Sequence, residues 1–169
     1  MTRSILDDAF RHHVWATLRL LDACAHLTEG ELETTVPGTY GSIIDTLRHL
    51  VESDCSYLAL LSDGRVSDIH ETQLDVAGLR AAMEPNGEVW AAVVAAAGDP
   101  DVEVVRHRDD GTDSIAPLGI RLSQVVHHGT DHRSQVCTAL TSIGVEPPGI
   151  DVWDYAEQAG RRQEVQRVS

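Results

Sequence analysis

The stretch LGIRLSQVVHHGTDHRSQVCTALTSI, residues 118–143, decides the fold. Its apolar residues Leu122, Val125, Val126, Val136, Leu140 and Ile143 recur at three- and four-residue steps, the pattern of one long amphipathic helix. Within that helix His128 and His132 stand one turn apart, which puts their Cβ atoms roughly 6 Å apart on one face. Two imidazole nitrogens so placed can reach one metal ion through bonds of about 2.0–2.1 Å. On a helical wheel the pair borders the apolar stripe, where a side chain faces a groove between helices. His127 falls about 140° from His132 on that wheel and is assigned to the solvated surface or to a hydrogen bond.

The same periodicity recurs upstream. Leu6, Phe10, Val14, Ala16, Leu18, Leu21 and Ala25 predict a first helix from Ser4 to about Leu27, with Thr28-Glu29-Gly30 as its stop. After a loop from Thr34 to Gly41, Ser42-Ile43-Ile44-Asp45 has the Ser-x-x-acid pattern of a helix start, although Thr39 could cap equally well. Ile43, Leu47, Leu50, Val51, Leu58 and Leu61 then carry a second helix to about Leu61. A loop through Ser62-Asp63-Gly64 and His70 leads to a third, from about Leu74 to Ala97, interrupted at Pro85-Asn86-Gly87.

The β-branched run Val102 to Val105 and the turn signal Asp110-Gly111 predict a small hairpin between Val102 and Ala116. Pro117 suits the first turn of the fourth helix, Gly144 and Pro147-Pro148 its end, and Asp151 can cap a short last helix across Val152 to Ala159. The expectation is all-α: a four-helix bundle with a hairpin before the last long helix and a short C-terminal helix. Residues 1–160 read as one domain, and Arg161 to Ser169 as a polar, frayed tail.

A formal net charge of −14 repels phosphate backbones and anionic lipid surfaces, so neither nucleic acid nor membrane is an expected partner. No apolar stretch approaches the ~18 residues of a membrane span, and the N-terminus lacks the features of a secretory signal, so the chain reads as cytoplasmic. All 13 basic residues are arginine, which excludes Schiff-base and lysine-nucleophile chemistry. Cys24, Cys55 and Cys137 are odd in number, far apart and without a C-x-x-C pair, as expected of reduced thiols that pack.

Two histidines do not make a site, and the second helix offers a third. His49 lies away from the centre of the apolar stripe, among Ser42, Asp45, Glu52, Ser53 and Ser56. Small serines leave room for a ligand, and Glu52 at i+3 could orient the ring. The wheel alone favours an ordinary solvated face over a ligand role for His49. His12, His13, His26, His70 and His107 have no partner at metal-binding spacing and read as surface or capping residues.

Leu47-Arg48-His49-Leu50 in the second helix, His128-Gly-Thr-Asp-His132-Arg133-Ser-Gln135 in the fourth, and Gly144 with Pro147-Pro148-Gly-Ile-Asp151 after it together resemble the DinB/YfiT-like family of metal-dependent four-helix bundles. The resemblance spans nearly the whole chain. It implies that His49, His128 and His132 bind one divalent metal, zinc or else nickel, at an open end of the bundle, and that two chains could pair as a homodimer. Many relatives resemble His-x-x-Asn-His before the glycine, whereas Gln124 and His127 stand at those places here.

Characterised branches implied by the resemblance include S-transferases and isomerases using low-molecular-weight thiols such as mycothiol, bacillithiol or glutathione. The leading expectation is therefore a metal-dependent thiol transferase or isomerase acting on an electrophilic small molecule, and the arginine-only composition favours mycothiol among the thiols. The alternatives are a non-catalytic, stress-linked metal- or ligand-binding bundle and a metal-dependent hydrolase. Peptidase chemistry of the His-Glu-x-x-His kind is rejected, because Gly129 stands where the general-base glutamate would be. Asp45, Glu52 and Arg133 are candidate acid or base groups by proximity in the helical pattern.

Overall fold

The computed structural model describes residues 4–66 and 73–166. Helix α1 spans Asp7–Cys24, the one-turn α2 Glu29–Leu32, α3 Ile43–Leu61, α4 Val76–Met83 and α5 Asn86–Ala96. Strands β1, Glu103–His107, and β2, Asp113–Pro117, follow, then α6, Leu118–Ser142, and α7, Val152–Gln158. Helix α6 packs on α3 and α1, and the α4/α5 pair closes the ring between α1 and α3, so four helical segments enclose one core. Leu20, Leu21, Leu47, Leu58, Met83, Trp90 and Leu140 fill it and are essentially inaccessible to solvent. No helix among the described residues is long and apolar enough to cross a membrane.

The capping chemistry sets where the elements begin and end. Ser42, not Thr39, starts α3: its hydroxyl accepts from the Asp45 N–H at 3.2 Å and donates to the Asp45 carboxylate at 2.7 Å. The Thr28 region ends the first helical segment but also starts another, since Thr28 and Glu31 form a reciprocal capping box on α2. The expected third helix is two helices. Pro85 has no N–H to continue the ladder past Glu84, and α5 begins at Asn86.

Beta-strands β1 and β2 pair antiparallel, from Glu103 opposite Pro117 to His107 opposite Asp113. Pro117 therefore closes the strand and is also the N-cap of α6, one residue before the first turn expected of it. At the far end of α6, Gly144 adopts φ +77°, its N–H bonds Thr141 O, and the Val145 N–H returns to Leu140 O at 3.0 Å. This pair of bonds satisfies the last carbonyls of the helix. Asp151 caps α7 through the Trp153 and Asp154 N–H groups. Beyond α7, residues 161–166 have no regular structure, and Arg161 donates to the Asp8 carboxylate at 2.7 Å. His70 and residues 167–169 of the expected tail lie outside the described residues.

Candidate metal centre

Helices α3 and α6 are directly packed neighbours, and the contact brings His49 of one against His128 and His132 of the other. The three rings approach edge to face, with centroids 4.4–5.0 Å apart. Nε2 of His49 and Nε2 of His128 are 3.0 Å apart, and one ligand atom from each of the three residues lies within 4.8 Å of the others. Two nitrogens bound to one ion through bonds of about 2.0–2.1 Å stand roughly 3.0–3.4 Å apart, so the His49–His128 pair already has that spacing. Among the described residues no other cluster of histidine, cysteine or carboxylate groups has such a geometry.

The tautomer of His132 follows from its neighbours. The Tyr40 backbone N–H can only donate, and it meets Gln135 Oε1 at 2.9 Å, which fixes that atom as an acceptor. His132 Nδ1, 3.1 Å from the same oxygen, must then carry the proton and leaves the Nε2 lone pair free. Tyr40 also lays its ring flat on His49, with centroids 4.1 Å apart and planes 11° from parallel. One loop residue thus braces histidines on both helices. Sequence reading placed Tyr40 in the loop before α3 without a role, and Gln135 in the motif without a partner.

Burial, and then the neighbouring rings of His132 and His49, push His128 down to about 4. His49 is lowered by the same two causes, burial first and then His132. Both rings are neutral at pH 7, the form in which imidazole coordinates metal. Three imidazole nitrogen donors suit a borderline-soft dication, and fewer protein ligands than a closed structural site leave a position for a small molecule.

A cleft of about 370 Å³ opens beside the histidines, lined by Tyr40, His49, Glu52, Ser53, Ser56, Tyr57 and Arg106. A second hollow, of about 330 Å³ and bordered by Asp45 and Arg48, shares Tyr40, His49 and Glu52 with it. A larger one, of about 460 Å³, is apolar and lies elsewhere, between the N-terminal segment and the start of α6. His127 is the one ionisable side chain among the residues lining it, with no second metal-binding or acid–base group beside it, so it is not the chemical centre.

A family model, that of the DinB family, matches residues 1–166. This chain belongs to the DinB family. Comparison with curated proteins finds no match. Family membership and the three-histidine cluster together fit metal binding.

One turn beneath the centre, this DinB bundle holds a buried polar chain that the helical wheel did not reveal. Asp54 of α3, almost wholly enclosed, accepts from His13 Nε2 at 2.8 Å, Trp90 Nε1 at 3.0 Å and Asn86 Nδ2 at 2.7 Å. Arg133 donates to His13 Nδ1 at 3.0 Å, and this donor fixes His13 as the Nε2–H tautomer. A neutral imidazole therefore bridges a buried carboxylate and a buried guanidinium. Burial pushes Arg133 down to about 10, against the opposing pull of Asp54, and the side chain stays charged at neutral pH.

The buried chain corrects three expectations. His12 and His13 are not surface residues: His12 is enclosed and donates to Ile150 O at 2.8 Å, and His13 belongs to the core. Arg133 points away from the cleft toward α1, so it is no acid or base for a guest there. Glu52 lines the cleft but makes no hydrogen bond to His49 among the described residues, so Gln135 and Tyr40 do the bracing instead.

Gly129 explains how the chain fits between the helices. A Cβ at this position would stand 2.5 Å from His13 Nδ1 and 2.8 Å from an Arg133 guanidinium nitrogen, closer than such atoms can approach. The signal for Asp54 was a carboxylate at the core-facing position between Val51 and Leu58. His127 and His26 are exposed, as read. Cys24 and Cys55 are buried, and burial pushes the Cys24 thiol up to about 12, which leaves it un-ionised at neutral pH.

Proposed function

We propose that the protein is a thiol-dependent S-transferase or isomerase with zinc, or else nickel, on His49, His128 and His132, and a low-molecular-weight thiol such as mycothiol as co-substrate. The observation that carries this reading is the convergence of three imidazoles from two helices at the edge of an open cleft. When bound, a dication held by three uncharged ligands supplies positive charge that lowers the pKa of a thiol or water beside it. The chain's own part is to keep the His49 and His128 rings unprotonated by burial and to fix His132 through Gln135. Tyr40 shields one face of His49, and Tyr57, whose ring lies 6.5 Å from that of His128, walls the cleft. Ser53 and Ser56 leave space for a guest beside the ring of His49.

Metal analysis of protein purified without an affinity tag, followed by thiol transfer to monochlorobimane, tests this. About one divalent ion per chain is expected, lost on joint His→Ala substitution at 49, 128 and 132. With metal restored, at least one of mycothiol, bacillithiol and glutathione should react faster than in the metal-free control. Stoichiometric metal with no thiol-dependent rate would reject the transferase and leave a non-catalytic metal-binding bundle. Absence of metal would reject both.

A further inference from the structure

The hairpin turns an arginine toward the protein. Side chains alternate along a strand, and here Val104 and Arg106 of β1 share the half-buried side with Ser114 and Ala116 of β2. The solvent side carries Val105 and Ile115, which are 38% and 57% exposed. Arg121 of α6 holds this orientation by donating to Ser114 O at 2.7 Å and Val104 O at 3.4 Å. Arg106 thus faces the protein beside Val104 and Ala116, while Val105 and Ile115 face water among Glu103, His107 and Asp113.

What Arg106 meets there is not a counter-charge. Its NH2 group donates to Ser56 Oγ at 2.7 Å, and among the described residues it has no carboxylate partner, in a chain with 27 acidic side chains. Ser56 follows His49 by seven residues on α3, about two turns or roughly 10 Å along the helix. Arg106 and His49 line the same cleft. The guanidinium therefore lies at one end of the hollow and the histidine centre at the other. Glu52, one turn after His49, puts a negative charge near the histidine end. With the dication of the proposed function on the rings, the hollow carries a positive group at each end, so a guest that sets one anionic group on the cation can set a second against the guanidinium.

We infer that the cleft binds a carboxylate-bearing small molecule, its carboxylate held by the planar fork of Arg106 and its reacting end directed at His49, His128 and His132. A guanidinium presents paired donors that match the two oxygens of a carboxylate, and only one direction of the fork is occupied by Ser56. The inference rests on the metal and thiol reading given above and adds the class of guest. The carboxylate can belong to the thiol or to its electrophile, and two titrations separate these.

Full-length protein loaded with cobalt(II) is titrated with ω-mercaptoalkanoates of increasing length and with the matching ω-mercaptoalcohols, reading the thiolate-to-cobalt absorption band. At one chain length the acid should bind roughly tenfold more tightly than the alcohol. Arg106→Gln should abolish that preference without changing cobalt affinity, and Glu52→Gln should enlarge it. In the second titration 2-mercaptoethanol is bound first and succinate is added. A band shift that depends on Arg106, with no acid preference in the first titration, assigns the carboxylate to the electrophile. Equal binding of acids and alcohols at every length, together with no succinate effect, overturns the inference while the metal and thiol reading stands. No absorption band with any thiol, alcohols included, overturns both.

Discussion

Gln135 is the residue on which the geometry of the histidine cluster turns. Its carbonyl oxygen accepts from the Tyr40 N–H and from His132 Nδ1, so it selects the ring nitrogen that faces the cluster and ties the loop before α3 to α6. Outer partners of this kind typically change metal affinity 10–100-fold when removed. Gln135→Leu should therefore weaken divalent-metal binding by about that factor, measured by competition with a chromophoric chelator, while the urea midpoint of the metal-free protein moves little. Gly129 acts through space rather than through bonds. In Gly129→Ala the new methyl group meets the His13 ring and Arg133, and overpacking of this sort costs about 1–3 kcal/mol, which urea unfolding would read. Its neighbour His128 was visible in the sequence because spacing alone marks a chelating pair. The demand for glycine at 129 was not, because the clash comes from another helix.

At the scale of elements, the helices that local chemistry fixes were legible. Ser42, Gly144 and Asp151 are caps whose effect lies within one turn of chain, and the structure has all three at helix ends. Ser42→Ala removes the acceptor for the Asp45 N–H and should cost about 1 kcal/mol of stability. Gly144→Ala forces a side chain into the left-handed region at φ +77°, at roughly 1–2 kcal/mol by urea unfolding. Less legible was the third helix. Proline marked the interruption, but whether it kinks or divides a helix depends on what the following turn does, and here Asn86 is drawn into the core by Asp54. The hairpin could be placed from turn chemistry, whereas its inward-facing arginine could not: period-two alternation names the two faces, and only docking by Arg121 says which one is inside.

Across the whole molecule, the chain Asp54–His13–Arg133 ties α3, α1 and α6 together, and Trp90 and Asn86 bring α5 onto the same carboxylate. Removing one end leaves the other charge buried without compensation, so Asp54→Ala should destabilise the fold by about 3–5 kcal/mol. Acid should act on the metal-free protein in a definite direction. Burial lowers His12, His49 and His128 in the fold below their ordinary 6.5, so below that pH the unfolded chain binds protons that the native state refuses. Their contribution to stability is complete above about pH 6.5 and is lost as pH falls. The urea midpoint of metal-free protein is expected to drop between pH 7 and pH 5, and a midpoint that stayed flat or rose would contradict it.

The sequence by itself determined what lies within a turn or two of helix: the amphipathic stripes, the caps, the break at Pro85 and the His128/His132 pair on one face of α6. These depend on backbone periodicity and local hydrogen bonds, which the order of residues specifies directly. The family resemblance pointed to His49 as the third member, and tertiary structure decided how it meets that pair, that Tyr40 and Gln135 brace it, that His13 is core, and that Arg106 turns inward. Each of those joins residues far apart in the chain, and their distance is set by how helix faces pack, a quantity that no single helix encodes.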